Sequence, residues 1–188
     1  MNREDTVALI RRLLDRLDTN TADQAAGMTT ESVADFLAPQ RFELERRRFF
    51  LETPQVIGFA GEVSEPGSYM TADVMGIPVL VTRHVDGSLR AFVNACAHRG
   101  AKIARGCGIS QKLTCRFHGW TYSLDGQLQA RPQDACFGKA DGYCALKPLP
   151  VSDCSGLIVI GLSADIPQIV VDNHLVDIQE KFVGFHFE

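Results

Sequence analysis

Two short stretches decide how this chain is read: Cys96-Ala97-His98-Arg99-Gly100-Ala101 and Cys115-Arg116-Phe117-His118-Gly119-Trp120. Each supplies one thiolate and one imidazole, and each places a glycine four residues after its cysteine. Sixteen residues separate His98 from Cys115, so the two stretches are distinct loops. Glycine lets the chain approach a bulky group closely and leaves backbone amides free to face it.

The pairing of unlike ligands on each loop is the informative feature. A Rieske-type [2Fe–2S] cluster places two cysteines on one iron and two histidines on the other. Two facing loops can each give one ligand to each iron. Thiolates suit the inner ferric iron, and neutral imidazoles reduce the negative charge and raise the potential. The competing reading is a Cys2His2 zinc site, which usually pairs like ligands on one knuckle. Here the pairs are mixed, and a single residue separates Cys96 from His98. Cys96, His98, Cys115 and His118 are therefore the expected ligands of a [2Fe–2S] cluster. Arg99, Gly100, Gly119 and Trp120 are candidates for the surrounding shell. Trp120 is readable either as a cover over the cluster or as a plain core aromatic. Arg99 is readable as a contact for a redox partner or as a cap of its own loop. Cys107, Cys136, Cys144 and Cys154 read most simply as buried free thiols.

Outward from the loops lie short apolar runs at residues 56–60, 78–82, 89–93 and 157–160. Asp86-Gly87 and Asp125-Gly126 sit between such runs as hairpin turns do. The pattern predicts an all-β domain of short antiparallel strands. His84, at the end of one run, reads as an exposed strand residue. Before Pro54 the texture differs. Ile10, Leu13, Leu14 and Leu17 fall at helical spacing over residues 4–17. Residues 19–30 lose the pattern and read as a linker, and a short second helix is expected between Thr30 and Pro39. Residues 41–50 are expected to be helical or extended, with Arg41, Arg46, Arg47 and Arg48 on a solvated face. The expected division is a helical extension and linker over 1–50, a β domain over 51–163 and a tail over 164–188.

With 45% hydrophobic and 22% charged residues, the 188-residue chain can build an ordinary core. A net charge of −4 argues against a nucleic-acid binder. The first thirty residues hold no unbroken apolar segment, so a Sec signal peptide is not expected at this end. The longest apolar stretch, 157–162, is far shorter than the ~20 residues of a membrane helix. A cytoplasmic, membrane-free location is expected.

The motifs Cys96-Ala97-His98-Arg99-Gly100 and Cys115-Arg116-Phe117-His118-Gly119-Trp120-Thr121-Tyr122, with Asp125-Gly126, resemble the Rieske non-haem iron oxygenases. The likeness is to the N-terminal part of a ring-hydroxylating oxygenase α subunit. Leu146-Lys147-Pro148-Leu149-Pro150-Val151 and Gly156-Leu157-Ile158-Val159 extend it, so that it spans roughly residues 40–163. The resemblance implies a Rieske-type antiparallel β-sandwich with a small cluster-binding subdomain. High-potential relatives carry a disulfide between the ligand loops; here the corresponding residues are Ala101 and Phe117, which implies the lower-potential branch. It also implies an oxidoreductase that incorporates O₂, in aromatic hydrocarbon catabolism, as a mono- or dioxygenase. The domain would accept electrons from a reductase or ferredoxin. It would pass them to a mononuclear Fe(II) in a catalytic domain, of the same subunit or a neighbouring one. That iron is expected only in the full-length enzyme. After His118 the only histidines are His174 and His186, too far apart for the paired-histidine segment of such a domain. Asn173-His174 and Asp177 read as surface or helix-end residues. The chain is accordingly expected to be a fragment of a larger enzyme, without hydroxylating activity alone. The alternative is a free-standing Rieske ferredoxin.

Overall fold

One strand organises the β domain of the computed structural model. Residues 77–83, Ile-Pro-Val-Leu-Val-Thr-Arg, are apolar on both faces of an extended chain, so they suit a strand covered on both sides. The structure describes residues 2–138, 142–182 and 184–185. They divide into two units, Met1–Ala38 and Pro39–Glu188.

The first unit holds α1 (Arg3–Asp18) and α2 (Ala34–Leu37). Asn2 caps α1 by accepting the Asp5 amide at 2.9 Å, and Glu4 and Asp5 occupy the first turn where the helix dipole favours them. The stripe Ile10, Leu13, Leu14 and Leu17 is present as expected, and no residue of α1 is buried.

The second unit opens with α3 (Pro39–Glu45), which runs on into a π-helical stretch, Arg46–Leu51. The arginine cluster lies on it, with Arg41, Arg47 and Arg48 exposed and Arg46 half-buried, and it is paired locally: Arg41 with Glu45 at 2.9 Å, Arg46 with Glu43 at 3.0 Å and Arg48 with Glu52 at 3.2 Å. The strands follow: β1 (Gln55–Phe59), β2 (Ser68–Val74), β3 (Ile77–Arg83), β4 (Leu89–Val93), β5 (Cys107–Ile109), β6 (Lys112–Thr114), β7 (Thr121–Ser123), β8 (Leu128–Ala130), β9 (Pro148–Leu149), β10 (Val151–Cys154) and β11 (Leu157–Ile160). They form three antiparallel sheets ordered β1-β11-β10, β5-β2-β3-β4-β9 and β6-β7-β8. A short helix, α4 (Gln168–Asp172), packs on β10 and β11 and buries Val171.

Side chains alternate across β3, and this places two cores on its opposite faces. Val79 and Val81 face one core with Val63, Ala91, Ile158 and Ile160. Leu80 faces the other with Phe92, Leu113, Tyr122 and Leu124. Thr82, on the Leu80 side, donates its hydroxyl to the Leu124 carbonyl at 2.7 Å and so avoids an unpaired buried polar group. The two expected turns close as hairpins. The His84 amide bonds the Ser88 carbonyl across Asp86-Gly87, and the Ser123 amide bonds that of Gln127 across Asp125-Gly126. Gly87 and Gly126 take φ of 82° and 81°, which a side chain disfavours. His84 corrects one expectation: it lies just beyond β3, half-buried, with Nδ1 3.2 Å from Asp86 Oδ1.

Candidate metal centre

The two loops leave the second core and close in the same way. In residues 96–101 the Cys96 amide donates to the Ala101 carbonyl at 2.9 Å, and the Gly100 amide donates to the Cys96 carbonyl at 2.8 Å. In residues 115–120 the Cys115 amide donates to the Trp120 carbonyl at 2.8 Å, and the Gly119 amide to the Cys115 carbonyl at 2.9 Å. Gly100 and Gly119 hold φ of 72° and 74°, so both turns need a residue that tolerates the left-handed region. The glycines are therefore there for the turn, four residues after each cysteine.

These matched turns bring like ligands together from unlike loops. Cys96 and Cys115 are both buried in the second core, 4% and 2% exposed. Burial raises the Cys96 thiol pKa and the adjacent Cys115 raises it further, whereas Tyr122 and the His98 backbone lower it. His98 and His118 are half-buried and meet edge to face, with ring centroids 4.7 Å apart. Burial, then His118 and Arg99, hold the His98 imidazole below its ordinary pKa. That favours the neutral ring, the form that can bind a metal.

The residues fit a two-iron cluster. Nδ1 of His98 is buried and has no hydrogen-bond partner among the described residues. Such a group costs about 1–3 kcal/mol unless something takes its lone pair. Among the described residues, no three His, Cys, Asp or Glu side chains converge on a point where one ion could be held. A tetrahedral zinc site needs that convergence. A [2Fe–2S] cluster does not, since each iron takes two protein ligands and bridging sulfides complete the set.

The surrounding shell is richer than the sequence disclosed. Trp120 is 5% exposed and stacks on His98, with planes 4° apart and centroids at 5.1 Å. Trp120 is thus a core aromatic whose ring also lies against that of His98. Arg99 is exposed and makes no hydrogen bond or ion pair among the described residues, so it does not cap its loop.

Three residues were missed. Tyr122, fully buried, accepts the Ala97 amide at 3.1 Å and stands 3.2 Å from Cys96 Sγ. The amide can only donate, so the hydroxyl proton is free to point at sulfur. Asn94, 1% exposed, donates to the Ala104 carbonyl at 2.9 Å and accepts the amides of Ile103 and Ala104 at 2.9 and 3.2 Å. It pins the far end of the first loop to β4. The available signal was a lone polar residue between an apolar strand and the first ligand. Arg131 is buried; it donates to Asp134 Oδ1 at 2.5 Å and the Gly138 carbonyl at 2.6 Å, and lies over the Trp120 ring at 5.4 Å. Nothing in Arg131-Pro132 marks that role.

The other cysteines correct the sequence reading. All six are unbridged, and Cys154 is buried, but Cys107 and Cys136 are exposed and Cys144 is half-buried. Cys107 lies on the edge strand β5, which has a neighbour on one side only, and Cys136 lies in a short 3₁₀ turn. His174 is exposed just past α4 and Asn173 ends that helix, as the helix-end reading expected. His186 lies outside the described residues. No helix among the described residues is long and apolar enough to cross a membrane.

The pattern of the Rieske [2Fe-2S] domain family matches residues 53–151. The glycine betaine monooxygenase oxygenase subunit of Chromohalobacter salexigens is 30% identical over 174 residues, 88% of this chain and 39% of that protein. The chlorobenzene dioxygenase subunit alpha of a Cupriavidus species is 32% identical over 152 residues, 78% of this chain and 33% of that protein. Among solved structures, a quaternary ammonium Rieske monooxygenase, described for carnitine oxidation by gut microbiota and inter-subunit electron transfer, superposes with a TM-score of 0.71. It is 28% identical, covering 79% of this chain and 40% of that one. The chain thus spans well under half the length of these relatives. Matching ligand loops, the sheet order and the family pattern over most of the β domain agree: the chain belongs to the Rieske [2Fe–2S] domain family.

Proposed function

We propose that this chain is the electron-transfer domain of a Rieske oxygenase α subunit, with Cys96 and Cys115 on the inner iron and His98 and His118 on the outer. The buried, partnerless Nδ1 of His98 beside the His118 ring is the observation that carries the ligand assignment. When bound, the cluster supplies reversible one-electron storage. The chain's own residues do the rest. Cys96 and Cys115 anchor from within the core, Tyr122 offers a proton to Cys96, and Trp120 covers one face of His98 while the histidine edge stays partly open. A reductase or ferredoxin is the donor, and mononuclear iron in a catalytic domain is the acceptor. A neighbouring subunit is the favoured location of that acceptor, because the quaternary ammonium relative is described with inter-subunit transfer.

Substrate choice is not written in these residues. Relatives named for glycine betaine and for chlorobenzene are 30% and 32% identical to this region. The expected aromatic substrate therefore widens to include quaternary ammonium compounds. We place the protein in the cytoplasm, consistent with the unbridged thiols. The test is iron and acid-labile sulfide analysis with electron paramagnetic resonance of the reduced protein. About two irons and two sulfides per chain, lost on Cys96→Ser or His98→Ala but retained on Cys107→Ala, are expected. Stoichiometric zinc, or colour lost on Cys107→Ala, would sink the assignment.

A further inference from the structure

Arg131 carries a permanent charge into the interior, its side chain only 2% exposed. Taking a charge out of water is costly, and an apolar residue of similar size would fill the space without that cost. The guanidinium uses its whole fork. It donates to Asp134 Oδ1 at 2.5 Å, to the Gly138 carbonyl at 2.6 Å and to Cys144 Sγ at 3.6 Å. These bonds tie residues 131–138 into a strap. Pro132 of the strap lies against the second ligand loop, its Cγ 3.2 Å from a Cβ built on Gly119.

The guanidinium lies one ring away from His98 by two routes. It sits 5.4 Å from the Trp120 centroid, and Trp120 stacks on His98 at 5.1 Å. It sits 5.0 Å from the Phe137 centroid, and Phe137 meets His98 edge to face at 5.8 Å. The ion pair with Asp134 is polarised. Arg131 lies against the two rings, whereas the Asp134 side chain is 73% exposed, so water screens the carboxylate far more than the cation. Positive charge therefore faces His98 across aromatic rings that carry no counter-charge, where screening is weak.

We propose that Arg131 is a positioning residue for the metal centre, acting in two separable ways. Its fork clamps the strap so that Trp120 and Phe137 stay against His98. Its charge favours the more negative, reduced form of a cluster held there, since net charge near a cluster sets its potential. Lysine would keep the charge but lose the fork, so the two parts can be told apart. The proposal rests on the reading of the chain as an electron-transfer domain with His98 as a ligand. It adds residues 131–138, which lie outside both ligand loops, to what sets the potential.

Voltammetry of the full chain reads the charge, and hydrogen exchange over residues 131–138 reads the clamp. Arg131→Gln should lower the reduced-to-oxidised ratio at a fixed electrode potential about three- to tenfold, a shift of about 30–60 mV for one electron. Arg131→Lys should recover at least about half of that shift, because it restores the charge. Asp134→Asn unmasks the cation and should raise the ratio, by a smaller factor because water screens Asp134. Loss of a merely structural clamp would instead admit water and raise the potential in every variant that loosens the strap. The Cys136 and Phe137 amides, bonded to the Gln133 and Asp134 carbonyls, should exchange about threefold faster or more in both Arg131 variants. An unchanged or raised potential in Arg131→Gln, equal shifts in the Gln and Lys variants, or a fall in Asp134→Asn overturns the role of the charge. Unchanged exchange in Arg131→Gln overturns the clamp. Asp134 is exposed, so Asp134→Asn still decides the role of the charge if Arg131→Gln does not fold. Absence of iron and sulfide from the unaltered chain would overturn the electron-transfer reading itself, while exchange still reads the clamp, with or without a cluster.

Discussion

Tyr122 shows how one side chain ties the core to the metal centre. Its ring belongs to the apolar cluster, and its hydroxyl sits between the Ala97 amide and Cys96 Sγ. Burial and the neighbouring Cys96 push its pKa up, so the hydroxyl keeps its proton. A donor to sulfur stabilises the more negative, reduced form of a cluster. Tyr122→Phe should therefore keep the visible spectrum and lower the midpoint potential by on the order of 50 mV, the equivalent of about one hydrogen bond. Voltammetry reads this directly, and a raised potential would contradict the role. Asn94→Ala should cost about 2–4 kcal/mol in urea unfolding, since three buried groups lose their partner together. The ligands were legible because four residues in two matching contexts are a pattern. Tyr122 and Asn94 were not, because a tyrosine in a strand and an asparagine after one are ordinary until the fold brings Ala97 and Ile103 to them. The cysteines outside the loops were misjudged for a related reason: thiols are usually buried, but Cys107 falls on a sheet edge. Cys154 is buried, and burial raises its pKa. The folded state then holds this proton in a window where the unfolded chain releases it. Its contribution is complete below the ordinary thiol value of about 8.5 and declines as pH rises above it. Urea midpoints should fall from pH 8 to pH 10.5, and fall less steeply in Cys154→Ala.

Elements with strong local signals were the readable ones. The Asp-Gly turns, the long apolar strands β3, β4 and β11 and the helix α1 follow from residues near in sequence. Strands such as β5, β6 and β9, two or three residues long, exist because neighbours supply their bonds, and no period can be seen over so short a run. The β7–β8 hairpin is where local and distant requirements meet. Gly126 holds φ of 81°, and a Cβ there would stand 2.4 Å from the Phe92 ring. Its carbonyl also receives the Leu146 amide at 2.9 Å. Gly126→Ala combines left-handed strain with a clash against a buried aromatic and should cost more than about 2 kcal/mol. At Gly87, φ is similar but nothing lies within 4 Å of a built Cβ, so Gly87→Ala should cost only about 1 kcal/mol. Chemical denaturation of the two variants side by side separates strain from clash; equal losses would refute the contact with Phe92.

At the scale of the whole β domain, the two cores on either side of β3 depend differently on the metal centre. The first joins Val63, Val79, Val81, Ile158 and Ile160, each 0–1% exposed, and includes no candidate ligand. The second includes Cys96 and Cys115, and its walls are the ligand loops and the three short strands of the β6-β7-β8 sheet. This side must also hold two glycine-bearing loops in order, which costs conformational entropy that the first core does not meet. Binding of a group that the folded state alone can hold adds its free energy to that side first. Removal of iron by a chelator under reducing conditions should therefore loosen the domain unevenly. Amides of Ile103, Ala104, Cys115 and Gly119, bonded within the loops or to Asn94, should exchange at least about tenfold faster, the effect of ~1.4 kcal/mol of lost local stability. Amides of Val79, Val81 and Ile158, in strands β3 and β11, should keep their protection, because the valine and isoleucine core needs nothing from the cluster. Hydrogen exchange of the two forms at one pH decides the matter. Uniform loss across both groups would mean that β3 transmits the loss, and that the two cores fold as one cooperative unit.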